Sequence, residues 1–204
     1  MNNDYFGKKD EKNPKANGEA IFKEPSFLES SNNRIYFYSE IDRERILQLN
    51  KTIREQNNNI ITQCQIMDRP IETEKIFLHL SSFGGSIFAG YAGMDEILKS
   101  KVKVVTIIDG CCASAATFLS VVAHKRYINE HGYILIHQLS SGFWGKYNEF
   151  QDEMKNMDRF MKMTKEIYAK YTKVPMTMID EILQHDIWFD AKQALEYGLV
   201  DEIL

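Results

Sequence analysis

The chain has 204 residues, 44% of them hydrophobic and 26% charged, with a formal net charge of −4. This composition suits one globular unit with a core of ordinary size. The acidic balance and the lack of any lysine or arginine cluster exclude a phosphate-backbone partner, and no apolar run nears the ~20 residues of a bilayer span.

Residues 1–33 are rich in Asn, Ser and Lys, and read as a flexible arm with short hydrophobic anchors at Ile21, Phe22, Phe27 and Leu28. The arm has no signal-peptide pattern, so a cytoplasmic setting is expected. The folded domain is expected over 34–204. It opens with the β-branched and aromatic strand Arg34 to Tyr38 and continues into an amphipathic helix from Asp42 to Gln65. A second strand, Lys75 to Leu80, ends in Ser81-Ser82-Phe83-Gly84-Gly85-Ser86. The helix after it, Ile87 to Ser100, presents Ile87, Tyr91, Met94, Ile97 and Leu98 on one face. The third unit is a buried strand, Val102 to Ile108, a knot of small residues, and a helix from Ser114 to about Ala123. Strand and helix alternate throughout, which predicts an α/β fold with a mainly parallel sheet.

Two short strands, Arg126 to Ile128 and Tyr133 to His137, precede a Gly- and Ser-rich segment, Ser140 to Gly145. A long helix, Lys146 to about Tyr171, carries Met154, Met157, Met161 and Met163 as an adaptable packing face suited to a subunit contact. A short helix from Met178 to Leu183, an extended piece from Asp186 to Phe189, a helix from Ala191 stopped by Gly198, and a final strand complete the chain.

Ser114 sits among Gly110, Cys111, Cys112, Ala113, Ala115 and Ala116. Small neighbours leave room for a carbonyl to reach a hydroxyl, and the helix that starts beyond it offers unpaired N–H groups to an oxyanion. The same residues also fit a plain helix cap. Among five histidines, His137 closes an apolar strand where the chain turns irregular, so it is the best placed general base, although backbone alone could satisfy it. His79 reads as packing, His124 and His131 as surface turns, and His185 is ambiguous. Asp186 is a candidate orienting acid in a partly buried setting, with Asp109 and Asp95 as competitors. Gly84-Gly85 is either a tight turn or a backbone that must approach a ligand. The three cysteines form neither a disulfide framework nor a zinc spacing, so no cofactor or metal is expected. Cys112 is close enough to Ser114 to count as an oxidation liability.

Taken together, these motifs resemble, in the same order, the proteolytic subunits of the Clp proteases, the ClpP family of compartmentalised serine peptidases. The likeness runs from about Arg34 to Leu204. Phe83-Gly84-Gly85-Ser86-Ile87-Phe88-Ala89-Gly90 matches the glycine-rich oxyanion turn and Gly110 to Ala116 the nucleophile turn. Lys125-Arg126-Tyr127, Ile136-His137-Gln138, Asp186 and Glu196-Tyr197-Gly198-Leu199-Val200-Asp201 match the rest. The resemblance implies a ClpP/crotonase-like spiral of βαβ units with a protruding handle made of a strand plus the long helix. It implies Ser114 as nucleophile, His137 as base, Asp186 as its acid, and the N–H groups of Gly85 and Ala115 as oxyanion hole. A peptide would bind as an added strand between Ser86 and Ile87 on one side and Leu139, Ser140 and Ser141 on the other. The implied partners are protein or peptide substrates, further copies in two stacked heptameric rings, and a Clp-type AAA+ ATPase. The chain departs from the family at Phe83 and Leu139, where proline is usual, and at Gln184-His185, where an acid–arginine pair is usual. Those departures motivate an alternative, a non-catalytic or regulatory subunit that co-assembles with a host Clp complex. An acyl-CoA enzyme of the crotonase type shares the architecture, but the serine, histidine and aspartate argue against it.

Overall fold

The computed structural model describes residues 28–204, so most of the expected arm, with Ile21, Phe22 and Phe27, lies outside the described residues. Inside the stretch assigned to the arm, Leu28–Ser31 (β1) folds back antiparallel on Arg34–Phe37 (β2). Asn32 makes the tight turn at φ 56°, a conformation that Asn tolerates better than most side chains. A 24-residue helix, Arg43–Ile66 (α1), follows, and Asp42 caps it by accepting the Arg45 N–H at 2.8 Å. Its inward face is Ile46, Leu49, Ile53, Ile60 and Cys64, interrupted by two buried asparagines. Asn57 is satisfied across elements: Nδ2 donates to the Ile53 carbonyl and Ser100 Oγ, and Oδ1 accepts the Val102 N–H at 2.8 Å.

Next come Lys75–Ser82 (β3), Ile87–Lys99 (α2), Lys103–Ala113 (β4), Ala116–Val121 (α3) and Lys125–Ile128 (β5). Tyr133–Leu135 (β6), Tyr147–Tyr171 (α4) and Met176–Leu183 (α5) lead to Phe189–Asp190 (β7), Ala191–Glu196 (α6) and Glu202–Ile203 (β8). The sheet order is β1-β2-β3-β4-β5-β8, parallel from β2 onward, with β6 paired to the far end of β4 and β7 antiparallel to β6. This is the expected α/β architecture of crossover units.

Three local expectations are corrected. The knot of small residues, expected as a strand-to-helix turn, is up to Ala113 the second half of β4, an 11-residue strand, and the turn begins at Ser114. Its first half pairs with β5 through Val105–Ile108, and its second with β6 through Cys111–Ala113. Between them Asp109 and Gly110 bulge out of register with β3, and Gly110 takes φ 97°. On α2 the expected Ile87, Tyr91, Met94 and Ile97 pack on the core, but Leu98 is 46% exposed, and Ala89, Gly90 and Gly93 are buried. Close helix packing selects small residues there: a Cβ on Gly90 would lie 3.0 Å from the Ala115 carbonyl oxygen. Residues 136–146 form no strand, so α4 stands without the strand half of the handle. A lone extended segment has no ladder to join within one chain.

The C-terminal half is tied to the sheet by Arg126 on β5. Its side chain, 12% exposed, pairs with Asp201 at 2.6 Å and donates to the carbonyls of Tyr171 and Gly198 at 2.7 and 2.8 Å. One guanidinium thereby gathers the ends of α4 and α6 and the entry to β8. Burial alone would raise the Asp201 carboxyl, but its bonds to Arg126 outweigh burial and hold it below the ordinary aspartate range. A depressed folded pKa supplies stability that is complete above the unfolded value of about 4 and is lost as pH falls through the folded one. Arg126→Ala is therefore expected to cost about 3 kcal/mol in urea unfolding at pH 7, and less at pH 3. An equal loss at both pH values would contradict the ion pair.

Candidate active site

The site is assembled where β4 changes partners, the position at which open α/β sheets place functional groups. Ser114 follows β4 directly and adopts φ 54°, a left-handed conformation that side chains other than Gly rarely enter. Its N–H donates to the Leu135 carbonyl at 2.8 Å, and its own carbonyl accepts the Thr117 N–H at 3.0 Å and the Thr117 hydroxyl at 2.6 Å. Thr117 Oγ1 is also 2.6 Å from the buried Tyr168 hydroxyl. Since Thr117 spends its proton on Ser114, Tyr168 donates to Thr117, and the relay fixes the turn to α4. Thr117 and Tyr168 escaped the sequence reading. A threonine three residues after the serine was the available signal, being the spacing of a side-chain–backbone turn.

Gly84 and Gly85 back the serine. Gly84 has φ 96°, and a Cβ there would lie 2.7 Å from Ser114 Cβ and 2.7 Å from the Ala113 carbonyl oxygen. Gly85 has φ 145°, and a Cβ would lie 2.4 Å from the Ile41 carbonyl oxygen. Ile41 straps this turn from the other side: its N–H donates to the Gly84 carbonyl at 2.8 Å, and its carbonyl accepts the Ser86 N–H at 2.7 Å. The close approach observed at both glycines is to the chain's own Ala113, Ser114 and Ile41. Among the described residues the N–H groups of Gly85 and Ala115 have no acceptor.

His137 follows β6, and the Gln138 N–H donates to the Leu183 carbonyl at 2.6 Å, which pins the chain just beyond the ring. His137 Nδ1 lies 2.7 Å from Asp186 Oδ1. The partly buried setting expected for Asp186 is not found: its side chain is 76% exposed, and His137 is 23% exposed. Only the far part of the extended stretch is covered, with Trp188 against Phe83 and Phe189 in the core, whereas Ile187 beside Asp186 is exposed. Ser114, Ala115, His137, Gly85, Ser86, Ile87, Leu139, Ser140 and Ser141 line one cavity of about 450 Å³. No hydrogen bond joins Ser114 Oγ to His137 among the described residues.

The competing acids are disposed of differently. Asp95 forms a surface pair with Lys99 at 3.7 Å. Asp109 makes a second His–Asp pair, 2.7 Å from His79 Nδ1, and also accepts from Tyr38 and Asn129. His79 is thus more than packing, but Arg34 Nη1 stands 2.8 Å from its Nε2. A guanidinium can only donate, so His79 Nε2 is already occupied as an acceptor. Cys112 is fully buried, and burial pushes its thiol pKa far up, which removes the thiolate and with it the expected oxidation liability.

The model of the Clp protease family matches residues 29–204. The chain belongs to the Clp protease family. The ATP-dependent Clp protease proteolytic subunit of Dehalococcoides mccartyi is 35% identical over 170 residues, 82% of this chain and 85% of that relative. The structure of a ClpP1 point mutant from Listeria monocytogenes superimposes with a TM-score of 0.72 at 23% identity, over 85% of this chain and 91% of the other, a likeness of fold. This Clp-family chain is therefore a proteolytic subunit of the serine peptidase class, and these comparisons do not favour the non-catalytic alternative. No helix among the described residues is long and apolar enough to cross a membrane.

The interlock of Gly84, Gly85 and Ile41 has a measurable consequence. Gly85→Ala must displace the Ile41 carbonyl and strain the backbone, so thermal unfolding is expected to show a loss of about 2 kcal/mol or more. An unchanged melting temperature would mean that the strap is open in solution.

Proposed function

We propose that this chain cleaves peptide bonds in unfolded proteins and peptides through Ser114, His137 and Asp186. The observation that carries the reading is the 2.7 Å His137–Asp186 bond at the mouth of the cavity that Ser114 lines. With Asp186 on Nδ1, the ring presents Nε2 to the cavity as the proton acceptor. Ser114 Oγ attacks the substrate carbonyl and its proton passes to His137, which then protonates the departing amine. Water, activated by the same ring, releases the acyl group from Ser114. The unengaged N–H groups of Gly85 and Ala115 are the donors for the oxyanion. The substrate lies as an added strand along the ladder-free residues Leu139, Ser140 and Ser141, facing Ser86 and Ile87.

The assembly in this reading is two stacked heptameric rings in the cytoplasm, supplied by a Clp-type AAA+ ATPase. It is supported by the apolar surface at the free end of α4 and before it, where Trp144 is 96% and Tyr147 76% exposed, with Phe150 and Met154 beside them. Patches of this kind mark contact surfaces. The domain in this proposal runs from Leu28, where β1 joins the sheet, to 204.

Ser114→Ala is expected to lower hydrolysis of an unstructured protein by ~10³-fold or more and to abolish labelling by a fluorophosphonate. Asp186→Asn should lower turnover by ~10²- to 10⁴-fold while leaving the melting temperature unchanged. Wild-type turnover in Ser114→Ala would refute the assignment.

A further inference from the structure

We propose that Phe83, Tyr133 and Trp188 form the subsite for the substrate residue that follows the cleaved bond, and that this subsite takes a large apolar side chain, phenylalanine foremost. The inference rests on Ser114 being the nucleophile and His137 its base.

The proposed chemistry fixes which way the substrate runs. The carbonyl under attack sits at the N–H groups of Gly85 and Ala115, and the acyl half continues along Ser86 and Ile87 inside the cavity. The leaving half begins at the amine that His137 protonates, so it departs past His137 and its acid. Two segments border that exit. One carries Phe83, two residues before Gly85, and the other carries Trp188, two residues after Asp186. Two residues of chain span at most about 7 Å, so both rings are tethered close to the reacting centre.

The two rings meet. Phe83 and Trp188 pack edge to face, with centroids 6.2 Å apart and planes at 89°, the arrangement that aromatic pairs prefer. With Gly110, Cys111 and Tyr133 they line a shallow groove of about 380 Å³. Phe83 also belongs to the wall of the cavity that holds Ser114, so groove and cavity adjoin across its ring. The groove is bare: Phe83 is 75% and Tyr133 47% exposed. Its floor is open too, since a Cβ on Gly110 would meet only Ser81 Oγ, at 3.8 Å. Exposed apolar surface gathered in one place marks a binding site. Continuity with the cavity assigns this one to the leaving half of the substrate. No charged side chain lines it, so a charged residue would lose water there without gaining a partner, and glycine would bury nothing.

The test uses the full chain and internally quenched peptides that differ only in phenylalanine or glycine after the cleaved bond. Wild-type kcat/KM should favour phenylalanine by about tenfold. Phe83→Ala, and separately Tyr133→Ala, should bring the ratio toward one, chiefly by slowing the phenylalanine peptide. A second measurement isolates the leaving side. A peptide methyl ester acylates Ser114 and releases methanol, after which phenylalaninamide or glycinamide competes with water for the acyl group. The amine nitrogen attacks the ester carbonyl, its proton passes through His137 to Ser114 Oγ as the C–O bond breaks, and a new amide forms. By microscopic reversibility the amine enters where a leaving residue departs. At equal concentration phenylalaninamide should therefore capture about tenfold more acyl group than glycinamide, and Phe83→Ala should erase the difference. A flat ratio in the wild type, a ratio unchanged in both variants, or equal loss of both peptides overturns the inference while Ser114-dependent fluorophosphonate labelling persists. Sedimentation in which Phe83→Ala changes the assembly size while the ratio stays intact assigns the groove to a second copy and overturns it as well. Hydrolysis that survives Ser114→Ala sinks the reading of the nucleophile, and this inference with it.

Discussion

Everything in the site depends on the left-handed backbone of Ser114 at φ 54°. An isolated left-handed residue costs roughly 1–2 kcal/mol for a side chain with a Cβ, and it persists only where its surroundings over-determine it. Here β6 takes its N–H, α3 takes its carbonyl twice, and Gly84 fills the space behind its Cβ. The reversal turns the hydroxyl out of the alternation that β4 would otherwise impose, toward the cavity and away from the core. Glycine at 84 and 85, the Ile41 strap and the alanines on either side of the serine are all conditions for that one torsion.

The two His–Asp pairs of this chain show how little a motif means without its surroundings. His137–Asp186 and His79–Asp109 have the same 2.7 Å contact through Nδ1. They differ in the acid, since Asp109 also accepts from Tyr38 and Asn129 whereas Asp186 is 76% exposed, and in the other ring nitrogen. On His79 it faces Arg34, and the pair is locked into the outer face of the sheet with Tyr36 stacked on the ring at 4.5 Å. On His137 it faces a cavity that also holds a serine. In the proposed mechanism the difference lies in what the second nitrogen is left free to meet.

Most elements were legible because their signals are local. The strand from Arg34, the helix capped by Asp42 and the glycine stop at 198 depend on neighbours within a few residues. The gathering of Ser114, His137, Gly85 and the residues after them in one cavity was legible only through the resemblance, since no spacing connects positions 85, 114 and 137. What failed was long-range or collective. The small residues of Gly110 to Ala113 read as a strand-to-helix turn because their strand partner, β6, lies some twenty residues away. The core face of α2 was read too narrowly: Ile87, Tyr91, Met94 and Ile97 do pack inward, but Gly90 and Gly93 were missed because close packing against Ala115 and Leu119 is invisible in a hydrophobic pattern. Asp186 was placed under cover because an apolar run follows it, but burial begins only at Phe189, and Asp186 and Ile187 lie outside it.

The 25 residues of α4 hold together two surfaces with different owners. Its C-terminal half, with Thr164, Ile167 and Tyr168, is locked into the core, whereas its N-terminal half stands clear of it. At 1.5 Å per residue such a rod is about 37 Å long, and a hydrogen-bonded helix without Pro or Gly does not bend sharply on its own. A load applied at the free tip is therefore carried along the axis to Tyr168, and from its hydroxyl through Thr117 to the carbonyl of Ser114. Whatever grips the outer end of this lever has mechanical access to the serine turn.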